Sequence, residues 1–484
     1  MLITLIVMPA AAALLLSFAS KTEERVLYWL IIAASLVPFL MVMQAWPNFL
    51  SPGAAEPMVS LSETRDWIPA IGAAFSLGLD GLNLPFLALL TVIGLAANLI
   101  PPMEGENLRK RGALLLIWEA ALIGTFLAQD YILFLLFWAV STVPIYFLMG
   151  PGLEDDKFPA VQSFVLSSLL SVMALGAGLL ILSGSLGAAS VAAEELASTV
   201  TTSLDPDTQW WVFLAVFIGC GLRIPIFPFH IWLRVSMERL PISAKILLVG
   251  GFLPLGLYGM LRFALVVLTD AAAAFAVVMA AAGAVNLIFG SLAALGGENP
   301  YQKAAYLVMS YTGIALLGTA TLTTGGITGA LFAILSLGLA VAFSLSIASP
   351  EAGFNCQRWA LILHSLEAAQ HLRLPGFAGF VGLFLVFTAV FKSFRPLSLL
   401  IFAALFFTAV DYARSLAALV ERRAAHSEGA EANNNPLNSF APLMTGAGAA
   451  AVLLLGGSIL LGVKPDLVLA IVEPAVKGLM QFLG

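Results

Sequence analysis

Arg223–Leu233 reads RIPIFPFHIWL, and this stretch decides how the rest of the chain is read. It sets a fixed positive charge, two prolines at helix-breaking spacing and a histidine inside an otherwise apolar helix. An arginine at the bilayer centre costs roughly 2.5–3.5 kcal/mol on insertion scales, so such groups face a bundle interior or an aqueous cavity. A helix interrupted at that depth is tolerated only where protein or water satisfies the freed backbone groups. Together these features are the hardware of an ion path.

The 484 residues around it are 60% hydrophobic and 10% charged, with a mean hydropathy of +0.99. Water-soluble domains carry about a quarter charged residues. The composition therefore predicts an all-α polytopic membrane protein. Apolar windows of about twenty residues recur from end to end, giving about fourteen transmembrane helices. They fall near 1–18, 27–46, 82–101, 112–128, 131–150, 159–183, 210–233, 243–268, 271–295, 302–322, 326–348, 374–394, 396–418 and 442–463. Met1 leads into an apolar run with no basic region before it, which predicts a retained helix and not a signal peptide. The longest polar pieces are 51–80, 184–209, 349–373 and 421–441, the last with the low hydrophobicity of a linker. The tail after Lys464-Pro465 alternates apolar and polar residues, as a helix lying along the membrane surface does.

Lys and Arg cluster in alternate loops, at Lys21, Arg25, Arg109–Arg111, Lys157, Arg234, Arg239, Lys303, Arg358, Arg422 and Arg423. The positive-inside rule makes that set cytoplasmic and puts the N-terminus outside. The net charge of −6 suggests no nucleic-acid partner. Cys220 and Cys356 are too few and too far apart for a disulfide framework or a metal cluster. No cysteine cluster could hold iron–sulfur and no Gly-rich phosphate loop follows a strand, so the sequence assigns no cofactor and no metal.

Several longer motifs carry a family resemblance over nearly the whole chain. They are FSLGLDGLNLPF around Asp80, EAALIGTFLAQDYILFLLFW from Glu119 to Trp138, RIPIFPFHIWL, YGMLRF at Tyr258–Phe263, LPGFAGFVGLF at Leu374–Phe384 and GVKP at Gly462–Pro465. In these the chain resembles the antiporter-like subunits of respiratory complex I, most closely chain M (chain 4), relatives of Mrp-type cation/proton antiporters. The resemblance implies two inverted five-helix repeats, each with a broken helix. The chain would divide into N-terminal helices at 1–101, a first repeat at 102–268, a second at 269–394 and C-terminal helices with a surface tail at 396–484. Helix 7 would be broken at Arg223–Leu233, and helix 11 in the apolar run from Gly325. The 349–373 segment is shorter and more polar than the family pattern leads one to expect.

The resemblance also implies a mid-membrane line of protonatable side chains, and this sequence departs from it. The fifth-helix glutamate falls on Ala139, the seventh-helix lysine on Arg223 and the eighth-helix lysine on Pro254. The histidine of the eleventh helix falls on Leu337, the twelfth-helix group on Leu383 and the tenth-helix histidine on Tyr311. A buried lysine can titrate because desolvation lowers its pKa; a guanidinium stays charged and carries no proton. Arg223 then needs a counter-charge, and Glu119 is the only intramembrane carboxylate in the neighbouring helices. The expectation is an Arg223–Glu119 link, direct or through one water.

Other titratable groups have two readings each. His230 lines a cavity or caps freed carbonyls. Lys245 handles protons or snorkels. Lys303 is a path residue or a cytoplasmic anchor, and Lys392 and Asp411 replace lost stations or reach an interface. Asp80 and Asp130 stand at helix starts, where carboxylates cap free N–H groups.

The first reading is an antiporter-like membrane subunit of a complex I-related assembly, fold retained and proton path largely lost, mainly structural or only partly conducting. It would be at most a non-redox subunit of a proton-translocating NAD(P)H/ferredoxin:quinone oxidoreductase in a bacterial inner or thylakoid-type membrane. Its partners would be other membrane subunits, one of them a similar antiporter-like chain, together with lipids. One alternative is a conducting subunit rerouted through Glu119, His230, Lys245, Lys392 and Asp411. Another is the membrane half of an inorganic-carbon uptake or other non-respiratory complex with a soluble cytoplasmic partner.

Overall fold

The fold is seen in a computed structural model, which describes residues 1–19, 22–50, 61–68, 73–102, 106–150, 158–186, 204–265, 267–348, 357–427 and 445–481. Lys21, Lys157, Cys356 and most of the 184–209 and 421–441 segments lie outside the described residues.

Polar residues just ahead of apolar runs start many of the helices. In chain order these are α1 Leu2–Phe18, α2 Glu24–Ala45, α3 Leu84–Leu99 and α4 Leu108–Leu127. There follow α5 Tyr131–Met149, α6 Phe158–Leu186, α7 Pro206–Arg223 and α8 Ile231–Arg239. Next come α9 Ile242–Leu265, α10 Thr269–Leu295, α11 Pro300–Ala320 and α12 Thr324–Ile347. The last are α13 Gln357–His371, α14 Ala378–Ser393, α15 Ser398–Ser427, α16 Gly446–Val463 and α17 Asp466–Met480. Asn107, Asp130, Asp205, Asn299, Thr323 and Thr445 each accept a backbone N–H in the first turn of the helix that follows. These caps satisfy donors the helix itself cannot. Among the described residues eight helical segments are long and apolar enough to cross a membrane, and three shorter apolar helices accompany them.

The chain is not purely α. Leu61–Ile68 (β1) and Ala73–Leu79 (β2) pair antiparallel, and Leu77 bridges to Ala128. The hydrophobic windows used to count helices overlook so short a polar strand, whose Thr and Trp suit a ladder and whose residues are nearly all exposed. Asp80 follows β2 and accepts the N–H groups of Leu82 and Asn83 at 2.8 and 2.9 Å. Its other oxygen is 2.7 Å from Arg262 of α9, which also reaches Gln129. That buried pair fixes the hairpin to the helical core.

α9 is buried throughout and α12 almost throughout, whereas α2, α6 and α16 leave most of their surface bare. Without a hydrophobic force between helices in lipid, close approach depends on small residues. Gly313 of α11 shows this: a Cβ there would lie 2.4 Å from the Leu287 backbone nitrogen of α10. α17 buries Val468, Ile471, Val472, Val476 and Leu479, a single face at helical spacing. Its Ile471 carbonyl comes so close to Gly81 that a Cβ would stand 2.7 Å away. The tail is therefore amphipathic as expected, with its apolar face on the protein.

Two further expectations are corrected. α12, holding the run from Gly325, continues from Thr324 to Ile347 with no proline inside, because nothing in its sequence removes a donor. The second interruption lies instead at Leu372–Phe377, between α13 and α14, where Pro375 follows Arg373 and precedes Gly376. Arg373 and Gly376 adopt positive φ of 54° and 98° there. The 349–373 segment is accordingly not one polar loop: its second part is helix α13.

Candidate functional site

The first break separates α7 from α8. Its prolines at 225 and 228 cannot donate, and the loosened strand of backbone needs outside partners. Asn286 of α10 supplies them, accepting the Phe227 N–H at 2.7 Å and donating to the Pro225 carbonyl at 3.1 Å. Trp232 Nε1 donates to the Leu222 carbonyl at 2.9 Å. Protein, in other words, satisfies this break.

Arg223 is the last residue of α7 and is 3% exposed. Its guanidinium lies between the rings of Trp138 and Phe252, 3.8 Å from each centroid. It donates to Ser141 Oγ at 3.0 Å and to the Trp138 carbonyl at 3.2 Å. Among the described residues no carboxylate lies within ion-pair distance of it. The direct Arg223–Glu119 pair expected from the sequence does not form. Glu119 on α4 is fully buried and is held instead by Ser35 Oγ at 2.6 Å, with Asn98 Nδ2 donating to the same hydroxyl at 3.1 Å. Glu119 packs so tightly on α3 that a Cβ at Gly94 would be 2.6 Å from its Oε1. Two neutral side chains on α2 and α3 thus do what a cation was expected to do.

His230 makes no side-chain cap bond; it stacks on Phe227 and meets Phe289 edge-on. Lys245 does not reach the surface but is 3% exposed, its Nζ 3.2 Å over the Tyr301 ring. Ala139 and Leu383 are half-buried, Pro254 and Leu337 buried, and none supplies an ionisable group. Pro254 has a structural consequence: α9 winds as a π-helix over Leu248–Phe252 just ahead of it, since the proline offers no N–H. Lys392 is exposed at the end of α14.

The second break has different surroundings. Lys303 of α11 and Asp411 of α15, read separately in the sequence, pair at 2.6 Å. They line a cavity of about 580 Å³ together with Glu298, His364, Glu367 and Tyr412. His364 Nδ1 and Glu367 Oε2 are 2.7 Å apart, and Tyr412 donates to the other Glu367 oxygen at 3.2 Å. Deeper, His371 is 1% exposed, with Nε2 2.9 Å from Ser344 Oγ and Nδ1 3.4 Å from the Tyr311 hydroxyl. Arg373 covers the Tyr311 ring at 4.2 Å. The arrangement is a ladder of groups able to hold a proton, running from a roomy cavity to the break itself.

His364, Glu367, His371 and Tyr412 were not singled out from the sequence. The signal existed: HSLEAAQH places the first three at i, i+3 and i+7, one face of a helix. Reading 349–373 as polar loop concealed it.

This geometry, with two interrupted helices in an apolar bundle and a buried arginine at each break, is that of a polytopic membrane protein that holds charge in its interior. Residues 128–351 match the sequence family described as NADH:quinone oxidoreductase/Mrp antiporter, transmembrane. NAD(P)H-quinone oxidoreductase chain 4 of Thermosynechococcus vestitus is 31% identical over 409 residues, 81% of this chain and 75% of that protein. A chain 4 of Picosynechococcus sp. is 28% identical over 407 residues, covering 81% and 73%. The fold is similar to that of a chain in respiratory complex I from Thermus thermophilus, with a TM-score of 0.83 at 20% identity over 100% of both chains. It is also similar to a chain of the Mrp complex from Dietzia sp., with a TM-score of 0.80 at 18% identity, covering 99% of this chain and 52% of that one. The chain belongs to the NAD(P)H-quinone oxidoreductase chain 4 family of antiporter-like complex I subunits, and it is an integral multi-pass membrane protein.

Proposed function

We propose that this chain is the antiporter-like subunit of a complex I-related quinone oxidoreductase whose first half is closed to protons and serves architecture. Proton exchange is confined to the cavity of the second half. One observation carries the reading: where the resemblance expects a titratable lysine, Arg223 is clamped between two aromatic rings by neutral partners. A guanidinium does not release its proton at working pH. Ala139 next to it adds no acid, and Glu119 is bound elsewhere. The second half supports a different role, because His364, Glu367 and His371 titrate by nature and stand beside space for water. The distribution of Lys and Arg supports a cytoplasmic opening for that cavity and an outer N-terminus. One helix break in each half supports the repeats at 102–268 and 269–394. Other membrane subunits of the same assembly, one of them similar to this chain, are the partners this reading requires.

The test is proton-to-electron stoichiometry in the reconstituted whole complex. Arg223→Met and Glu119→Gln, checked for assembly and electron transfer, leave the ratio unchanged. A fall in pumping at full electron transfer in either variant overturns the proposal. Glu367→Gln lowers the ratio if the second half exchanges protons, and an unchanged ratio there leaves the chain purely architectural.

A further inference from the structure

Glu367 lines the wet cavity of the second half, and His371 lies behind it, 1% exposed. One turn of α13 separates the two, and their side chains share no direct hydrogen bond. A proton passes between two groups only within hydrogen-bond reach or through one intermediary. Ser344 of α12 fills that gap. Its Oγ lies 2.9 Å from His371 Nε2, lines the cavity and acts as a hydrogen-bond partner of the Glu367 carboxylate. Glu367 already meets His364 Nδ1 on one oxygen and the Tyr412 hydroxyl on the other. A carboxylate has about four acceptor sites, so a third partner fits.

The far side of the imidazole fixes where its hydrogen sits. Tyr311 donates to the Gln370 carbonyl at 3.4 Å, and its oxygen then accepts from His371 Nδ1, also at 3.4 Å. This pattern assigns the hydrogen to Nδ1 and leaves Nε2 bare toward Ser344. Ser344 has one hydrogen and three acceptors around it: Nε2, the Glu367 carboxylate and the Ala340 carbonyl at 3.1 Å. A serine hydroxyl rotates to suit its partners and accepts while it donates. Arg373, over the Tyr311 ring at 4.2 Å, takes no further proton, so His371 is the innermost group of the series able to receive one.

We infer that Ser344 is the relay that carries a proton between Glu367 and His371, an assignment that rests on proton exchange at this cavity. With Glu367 protonated, its O–H bond breaks as Ser344 Oγ takes the hydrogen. The hydrogen that Ser344 already carried passes to Nε2. Glu367 ends as a carboxylate, His371 as an imidazolium and Ser344 as a neutral hydroxyl, so atoms and charge balance with no co-reactant. The return step uses the same bonds in reverse. His364, Lys303, Asp411, Tyr412 and Arg373 set the field around the pair without taking part in the transfer.

The experiment uses the full chain in lipid nanodiscs, a photolysed caged proton and time-resolved infrared spectroscopy. The chain has four histidines, and the imidazolium band that His371→Asn removes belongs to His371. Ser344→Ala slows the rise of that band by about 100-fold, the share of a positioned proton carrier, and leaves its final amplitude unchanged. Alanine suits a helix interior, so the variant keeps α12. Ser344→Thr retains the hydroxyl and restores the wild-type rate. A serine with a structural role alone would alter the amplitude and spare the rate. An unchanged rate in Ser344→Ala, or a rate in Ser344→Thr as slow as in Ser344→Ala, overturns the inference. If Glu367→Gln leaves the proton-to-electron ratio unchanged while Ser344→Ala still slows His371, the relay stands and the pumping role falls.

Discussion

The two helix breaks answer the same geometric demand with opposite chemistry. Each interrupts a helix inside the protein and brings a buried arginine against an aromatic ring, Arg223 on Trp138 and Phe252, Arg373 on Tyr311. Around the first break the neighbours are rings, hydroxyls and the Asn286 amide. Around the second they are His364, Glu367, His371 and Tyr412, with a cavity of about 580 Å³ alongside. The difference teaches that an interrupted helix is a scaffold and not a proton path. What decides conduction is whether the groups set at the break can change charge and whether water reaches them.

Access to water should separate the halves most sharply. Ser415→Cys, on the cavity wall, is expected to react with a membrane-impermeant maleimide at least about 100-fold faster than native Cys220, which is buried beside Arg223. Labelling rates followed by mass spectrometry decide it, and equal rates erase the contrast between wet and dry breaks. Next in size is Asn286→Leu. It strands the Phe227 N–H and the Pro225 carbonyl, each a buried polar group, and should cost about 3 kcal/mol. Thermal unfolding in detergent reads that loss, and a midpoint unmoved would mean that the first break is held by something other than this amide.

A smaller effect belongs to the second half. Asp411→Asn removes the partner of Lys303, which keeps part of its side chain in solvent, so the loss is about 1 kcal/mol. Added salt should shrink the difference between wild type and variant. A salt-insensitive loss would instead place the pair in a dry interior and bring the second break closer in kind to the first. The smallest change is expected at Lys392→Met, on the exposed end of α14, within about 0.5 kcal/mol of wild type in the same thermal assay. A larger loss there would show that the lysine serves a partner of the bundle.

Much of the first break was legible in RIPIFPFHIWL, because prolines, arginine and histidine in an apolar run have few physical explanations. The second was less so. Its interruption was placed in the run from Gly325, in parallel with the first as the family resemblance implies, yet that run holds no proline and continues as a helix in α12. The proline of LRLPGF, with two positive-φ residues around it, was the stronger signal. The direct pairing chosen for Glu119 failed for a related reason. Opposite charges attract in a list of residues, but a carboxyl group oriented toward Ser35 and Asn98 cannot also meet a guanidinium enclosed by rings.

By itself the sequence determined membrane residence, the positions of many helices, the cap at Asp130 and the family to which the chain belongs. Apolar content, helix length and local capping act over a few turns and leave their mark in consecutive residues. Only the tertiary structure decided which buried charges share a site. Lys303 meets Asp411 across 108 positions of chain, and His371 meets Ser344 across 27. Such pairings depend on how helices that are apolar on all sides rotate against one another, and small-residue packing sets that rotation without writing it into any single segment.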